Sequence, residues 1–253
     1  MAVLGGRHAL VTGGGRGIGR AIAQALAQAG ASVTVLGRQR GPLEDAVAQR
    51  HAAGLIVADV TDAAAIAAGI KEAAAARGPF DILVANAGGA ETAPFVKTDA
   101  AQFQRMFDLN VLGIVHATRA LLPDMVTRKF GRVIAVASTA GLKGYGYVSA
   151  YCAAKHAVIG LVRSLAIETA KTGVTVNAVC PGYTDTDLVR DSVAAVVKKT
   201  GKAPEDIIAH YVKDMPIARL IRPEEVAAAV LYLCSAEAAG VTGSALTVAG
   251  GEI

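Results

Sequence analysis

The chain has 253 residues, 53% of them hydrophobic and only 18% charged, with a formal net charge of +4 at pH 7. That length and apolar content can bury the core of one α/β domain spanning 1–253. No Lys/Arg block exceeds two residues, so a nucleic-acid surface is not indicated. No apolar run approaches the roughly eighteen residues of a membrane span, and the opening Met1-Ala-Val-Leu-Gly-Gly-Arg7 lacks the basic-then-apolar order of a signal peptide. The odd number of cysteines, Cys152, Cys180 and Cys234, without metal-type spacing, reads as reduced thiols. The expectation is a cytoplasmic protein with no metal site, no membrane partner and no nucleic-acid partner.

His8-Ala-Leu-Val-Thr12 reads as a short buried strand. The glycine-rich run Gly13-Gly-Gly-Arg16-Gly17-Ile18-Gly19 follows, then a helix with Ile22, Ala23, Leu26 and Ala27 on one face. A glycine loop between strand and helix lets backbone N–H groups approach a pyrophosphate at the positive end of the helix dipole; a structural turn is the competing reading. A second strand, Ser32-Val-Thr-Val-Leu36, ends at Gly37-Arg38-Gln39-Arg40. An acid at this point binds a ribose 2′-hydroxyl in dinucleotide folds, whereas an arginine accommodates a 2′-phosphate. Gly37 and Arg38 stand there with no acid, and Arg16 offers a second arginine; the alternative is two solvated arginines.

A helix from about Pro42 leads to the strand Leu55-Ile-Val-Ala58, closed by Asp59-Val60, where Asp59 is also a candidate cap for the helix beginning near Thr61-Asp62. The alanine-rich stretch Ala63 to Ala76 keeps a helical stripe at Ile66, Ile70 and Ala73. The strand Phe80-Asp-Ile-Leu-Val-Ala85 precedes Asn86-Ala87-Gly88, and one long helix is expected from about Asp99 to Arg128. Asn110 lies in it among large apolar residues, and a buried amide must find partners, functional or structural.

Arg132-Val-Ile-Ala-Val-Ala137 reads as a buried strand that delivers Ser138 to its carboxyl end, where open α/β sheets bind ligands. Tyr151 and Lys155 are four apart on the next helix, which continues to about Thr172. That spacing stacks phenol and ammonium on one face, and a nearby cation favours the phenolate. Packing of the tyrosine and solvation of the lysine are the competing readings. Val174-Thr-Val-Asn-Ala-Val-Cys180 is a sixth strand, broken by Pro181-Gly182. From about 187 to 221 two short amphipathic helices, carrying Lys198, Lys199, Lys202 and Lys213, interrupt the alternation and read as a substrate lid. A helix from Pro223 and a last strand, Ala245-Leu-Thr-Val-Ala249, complete a single-domain, doubly wound parallel sheet of Rossmann type.

Taken together, Thr12-Gly-x-x-x-Gly17-x-Gly19, Asn86-Ala-Gly88, Asn110, Ser138 with Tyr151-x-x-x-Lys155, and Pro181-Gly182 resemble the short-chain dehydrogenase/reductase family over nearly the whole chain. The resemblance implies hydride exchange between a nicotinamide cofactor and a carbonyl/alcohol pair. Ser138 would bind the carbonyl oxygen and Tyr151 would deliver the proton. Lys155 would lower the phenol pKa and hold the nicotinamide ribose, and Asn110 would hold a relay water. It further implies cofactor contacts from Gly13, Arg16, Gly17, Ile18 and Gly19, from Asp59 and Val60 at adenine, and from Asn86 and Gly88. On the nicotinamide side it implies contacts from Pro181, Gly182, Thr184 and Thr186, although Thr184 stands where many members have Ile or Val. Gly37 and Arg38 point to NADP(H) rather than NAD(H). Among substrates, the pattern is nearest 3-oxoacyl reductases, with a coenzyme A or acyl-carrier thioester; Arg128 and Lys129 fit a carrier surface while Thr172 offers no charge. A homotetramer is the family's common assembly. The alternatives are an NAD-dependent dehydrogenase of an aromatic or alicyclic alcohol or a hydroxyacyl-CoA, and a non-catalytic nucleotide sensor on the same fold.

Overall fold

The computed structural model describes residues 3–253. Its elements run β1 (His8–Thr12), α1 (Gly17–Gln28), β2 (Ser32–Gly37), α2 (Arg40–Ala48), β3 (Gly54–Val57), α3 (Ala63–Arg77) and β4 (Ile82–Ala85). They continue through α4 (Ala100–Phe107), α5 (Gly113–Thr127), β5 (Gly131–Val136), α6 (Ser149–Thr169), β6 (Val174–Pro181), α7 (Asp187–Thr200), α8 (Pro204–Val212), α9 (Pro223–Cys234) and β7 (Ala245–Val248). Among the described residues seven strands form one parallel sheet, in the order β3-β2-β1-β4-β5-β6-β7.

Parallel strands covered on both faces are apolar at every position, and successive side chains feed opposite cores. Val11, Val84 and Ile134 belong to the layer shared with α1 and α9, while their neighbours Leu10, Leu83 and Val133 belong to the layer shared with α3, α5 and α6. Because β1 leads outward to β2 and β3 while β4 starts the opposite direction, a crevice opens between β1 and β4 at their carboxyl ends. The glycine run, Arg38, Asp59, Asn86, Ser138 and Gly182 all follow strands on that edge.

Two expectations are corrected. The helix expected from Asp99 to Arg128 is divided: α4 ends at Phe107, a π-helical turn spans Asp108–Leu112, and α5 resumes at Gly113. The wider turn escapes a reading of periodicity because apolar residues continue on both sides of it, Phe103 and Met106 before and Val111 and Ile114 after. The segment Ser149–Thr169 does reach the length and mean hydropathy of a membrane span. Here α6 lies on the sheet, with Val158, Ile159 and Val162 in the core.

Candidate active site

The loop after β1 is compact because its glycines are. Gly13 has φ +66°, and a Cβ on Gly19 would lie 2.2 Å from the Gly13 carbonyl oxygen, so a side chain at that position is excluded. Arg16, at the N-cap of α1, makes no side-chain capping bond, leaving the first-turn N–H groups unclaimed by it. Asn86 binds the loop to the sheet: its Nδ2 donates to the Thr12 carbonyl at 3.0 Å, while the N–H groups of Asn86 and Ala87 both donate to Thr12 Oγ1 at 3.0 Å. Thr186 is brought against the loop from the far side of the crevice, its Cγ2 3.2 Å from where a Gly17 Cβ would stand. Ile18 packs behind the loop.

Toward β2 and β3, Gly37 ends β2 with ordinary space beside it, and Arg38 reaches outward, exposed, with Nη1 3.8 Å from Asp59 Oδ2. The cap of α3 is Asp62, whose Oδ1 accepts from the N–H groups of Ala64 and Ala65. Asp59 instead closes the preceding turn through the Thr61 N–H and hydroxyl, both at 2.9 Å, which hold its carboxyl below the usual range. Val60 is buried, and its carbonyl lies 3.1 Å from His116 Nδ1. Arg16 is exposed and in no ion pair among the described residues.

Ser138, Tyr151 and Lys155 converge. Ser138 is extended at φ −178°, and its Oγ accepts the Ala140 N–H at 3.1 Å. Its hydroxyl faces the Tyr151 phenol closely enough to oppose the rise in that group's pKa. Lys155 is 4% exposed, and its Nζ donates to the Val136 carbonyl at 2.9 Å and stands 5.7 Å from the centre of the Tyr151 ring. Burial lowers the ammonium pKa to about 8 and raises that of the phenol to about 12; Ser138 is what opposes the rise. The expectation that Lys155 brings the phenol toward neutrality is therefore not met in this arrangement, because the ammonium is drawn back onto a strand-end carbonyl.

Asn110 is fully buried and satisfied. Its Nδ2 donates to the carbonyls of Gly89 and Met106, both at 3.0 Å, and its Oδ1 accepts the Gly89 N–H at 3.3 Å. The π turn brings this amide to the loop after β4. A Cβ on Gly88 would meet Asn110 Oδ1 at 2.7 Å and Lys155 Nζ at 3.6 Å, so glycine there lets the amide and the ammonium face the same small space.

Beyond β6, Gly182 donates to the Val248 carbonyl at 3.1 Å. Buried Thr184 bonds the Gly182 carbonyl through its hydroxyl at 3.0 Å and bridges Ile221, and Thr186 Oγ1 donates to the Thr184 carbonyl at 3.3 Å. Both ends of the excursion that holds α7 and α8 are thereby pinned at one point.

Residues 7–196 match the short chain dehydrogenase family. The chain belongs to that family. It is 39% identical to acetoacetyl-CoA reductase of Rhizobium meliloti (strain 1021), over 97% of this chain and 98% of that protein. It is 40% identical to cis-4-hydroxycyclohexanecarboxylate dehydrogenase of Sinomonas cyclohexanicum, over 97% of this chain and 96% of that one. The crystal structure of a variant of actinorhodin polyketide ketoreductase with NADPH superposes with a TM-score of 0.92 at 32% identity, covering 97% of each chain.

The short chain dehydrogenase is an oxidoreductase of an NAD(P)-using family, and its glycine loop fits such a cofactor: a cradle that a Cβ at Gly19 would fill, at a helix N-terminus without a side-chain cap. One group of residues beside the site escaped the sequence reading. Glu252, after β7, accepts through Oε1 from the Tyr145 hydroxyl at 2.5 Å and from Lys143 Nζ at 3.0 Å. Thr139 Oγ1 is 2.6 Å from the Tyr145 hydroxyl, and burial followed by Glu252 pushes that phenol's pKa up. Tyr183 stacks on Tyr211 of α8 at 4.6 Å and stands edge-on to Tyr145 at 6.3 Å. The available signals were Gly250-Gly251 just before a charged residue and the polar side chains Thr139, Lys143 and Tyr145 between Ser138 and Tyr151, but no spacing links positions 107 residues apart.

Proposed function

We propose that this short chain dehydrogenase is an NADPH-dependent ketoreductase that takes a 3-oxoacyl thioester to its 3-hydroxyacyl partner. The observation that carries the reading is the convergence of Ser138, Tyr151 and Lys155 at the carboxyl edge of β5, beside the glycine loop of β1. Bound nicotinamide cofactor supplies the hydride. The protein supplies orientation and a proton. Ser138 Oγ already accepts the Ala140 N–H, which fixes its lone pair and leaves its proton for the substrate carbonyl oxygen. Tyr151, with its pKa raised, stays protonated at neutral pH, the form that reduction requires, and passes that proton to the same oxygen. Lys155 holds a ribose hydroxyl and replaces the proton Tyr151 gives up. Asn110 has both amide hydrogens committed, so a relay water beside Lys155 sits on the remaining lone pair of Oδ1.

Arg38 and Arg16 serve the 2′-phosphate of NADPH, while Gly37 withholds the carboxylate that would repel it. The backbone of Gly13, Gly17 and Gly19 and the hydroxyl of Thr186 serve the pyrophosphate, and Asp59 and Val60 the adenine. Asn86 and Gly88 line the channel; Pro181, Gly182 and Thr184 flank the nicotinamide. The thioester reading is supported by the likeness to an acetoacetyl-CoA reductase and a polyketide ketoreductase. A second reading, an alicyclic alcohol dehydrogenase using NAD, is supported by the Sinomonas relative. We further propose a homotetramer, for which the exposed Phe107 and Ile167 on α4 and α6 speak.

Purified protein assayed with acetoacetyl-CoA is expected to consume NADPH at least about tenfold more efficiently than NADH, since one hydrogen bond to a charged group contributes ~1.5–3 kcal/mol. Gly37→Asp with Arg38→Leu should invert that preference; the nearest neighbour of a Cβ at Gly37 is Leu43 at 3.4 Å, so the carboxylate fits. Inert acetoacetyl-CoA alongside rapid NAD-dependent oxidation of a cyclic alcohol selects the second reading.

A further inference from the structure

Glu252 is a carboxylate with one oxygen used and one not. Its side chain is 3% exposed, and Oε1 holds Tyr145 and Lys143, yet Oε2 is buried without a hydrogen-bond partner among the described residues. A buried carboxylate oxygen left bare is costly, so such groups occur where something else supplies the donor. The position says what that is. Oε2 lies 3.0 Å from where a Cβ on Gly182 would stand. The rest of the cluster consists of Thr139, next to Ser138; Tyr145, six residues before Tyr151; and Tyr183, next to Gly182 and close enough to raise the Tyr151 phenol. These residues follow β5, β6 and β7, on the other side of β4 from the glycine loop of β1, so the end of a ligand that they would meet is the substrate rather than the cofactor phosphates.

The Tyr145, Lys143 and Thr139 contacts fix the rotamer of this carboxylate, so Oε2 is a preset acceptor. Building on the ketoreductase reading, we infer that Glu252 is a specificity-determining residue whose Oε2 accepts a hydrogen bond from an N–H or O–H on the substrate, near the reacting carbonyl. Two sources present that chemistry: the amide of a thioester carrier arm and a hydroxyl on a free ketone. A substrate carrying a carboxylate at that point meets like charge and is selected against.

The test uses matched pairs that differ only in the donor: S-acetoacetyl-N-acetylcysteamine against S-pentyl acetothioacetate, and 4-hydroxy-2-butanone against 2-pentanone. Wild type is expected to favour the donor-bearing member of at least one pair about 10- to 100-fold in kcat/KM, the range a hydrogen bond to a charged group provides. The pair that shows it identifies the source. Glu252→Gln should erase that preference through KM, with kcat held and with NADPH affinity, read by fluorescence titration, changed less than about twofold. Tyr145→Phe leaves Oε2 in place and should keep a preference, which separates recognition from general damage to the cluster. Equal losses on both members of a pair in Glu252→Gln, a parallel loss of NADPH affinity, or no donor preference in wild type overturns the inference while the ketoreductase reading stands. If all four compounds are inert with NADPH and NADH, the ketoreductase reading fails and the inference falls with it.

Discussion

Burial shifts Tyr151 and Lys155 in opposite directions: it keeps the phenol protonated and works against the ammonium. Burial disfavours charge, so it raises the phenol to about 12 and lowers the ammonium to about 8. Tyr151→Phe keeps the ring and loses the proton, so turnover should fall at least ~10²-fold while NADPH binding survives; near-normal turnover would remove Tyr151 from the mechanism. Lys155 also leaves a signature in stability. Between its folded pKa of about 8 and its unfolded value near 10.5 the unfolded chain binds the extra proton, so the lysine's penalty is greatest below pH 8 and is relieved as pH rises through that window. Cofactor-free thermal melts of wild type against Lys155→Met should show a difference that is flat below pH 8 and shifts in favour of wild type toward pH 10.5. A pH-independent difference would mean that the ammonium is not desolvated. The residues of this site were legible because a helix turns a spacing of four into a shared face and a strand end delivers Ser138 to a known edge. The direction of the Tyr151 shift was not legible, since it depends on whether Lys155 Nζ points at the ring or at the Val136 carbonyl.

Among the elements, the division of the α4–α5 run matters most, and the sequence hid it. Phe103, Met106, Val111, Ile114 and Ala117 keep an apolar stripe through the break, so periodicity reads one helix. The Asn110 amide among those apolar residues was the visible clue: π turns free backbone groups and are frequent at functional sites, and here the Met106 carbonyl is taken by Asn110 Nδ2. The same amide then grips both backbone groups of Gly89 and so ties α4 to the loop after β4. Gly88→Ala tests this junction, because its Cβ would lie 2.7 Å from Asn110 Oδ1. Displacing the amide should lower the melting temperature by several degrees, of the order of 1–3 kcal/mol for overpacking a tight site, and should cut kcat more than KM. An unchanged melting temperature would show that the junction yields freely.

Across the whole molecule the sheet separates stability from chemistry. At the amino ends of the strands, His8 stacks on Phe80 and bonds Thr34, while Asp81 takes the His8 N–H and the guanidinium of Arg128. Arg128, read from the sequence as a fit to a carrier surface, is thus engaged in the fold, and Lys129 alone of that pair stays outside this network. At the carboxyl ends the loops carry the open glycine cradle and the bare Glu252 oxygen. The α4 and α6 flank belongs to neither end: it exposes Phe107 at 40% and Ile167 at 79%, with a cleft between the helices lined by Phe103, Ala150, Ala153 and Ala154. Small alanines on one helix beside aromatic rings on the other form a surface that a second copy can enter, and stable interfaces bury about 1,600 Å² in total. Light scattering should therefore give a mass near four times 25.6 kDa. Phe107→Asp with Ile167→Asp should lower it to dimer or monomer, since a charge in an apolar interface is left unpaired. Cys152 and Lys155 are buried on this same helix, so loosening the interface should also lower turnover by letting α6 shift against β5. A fourfold mass retained in the double variant would place the assembly on another face.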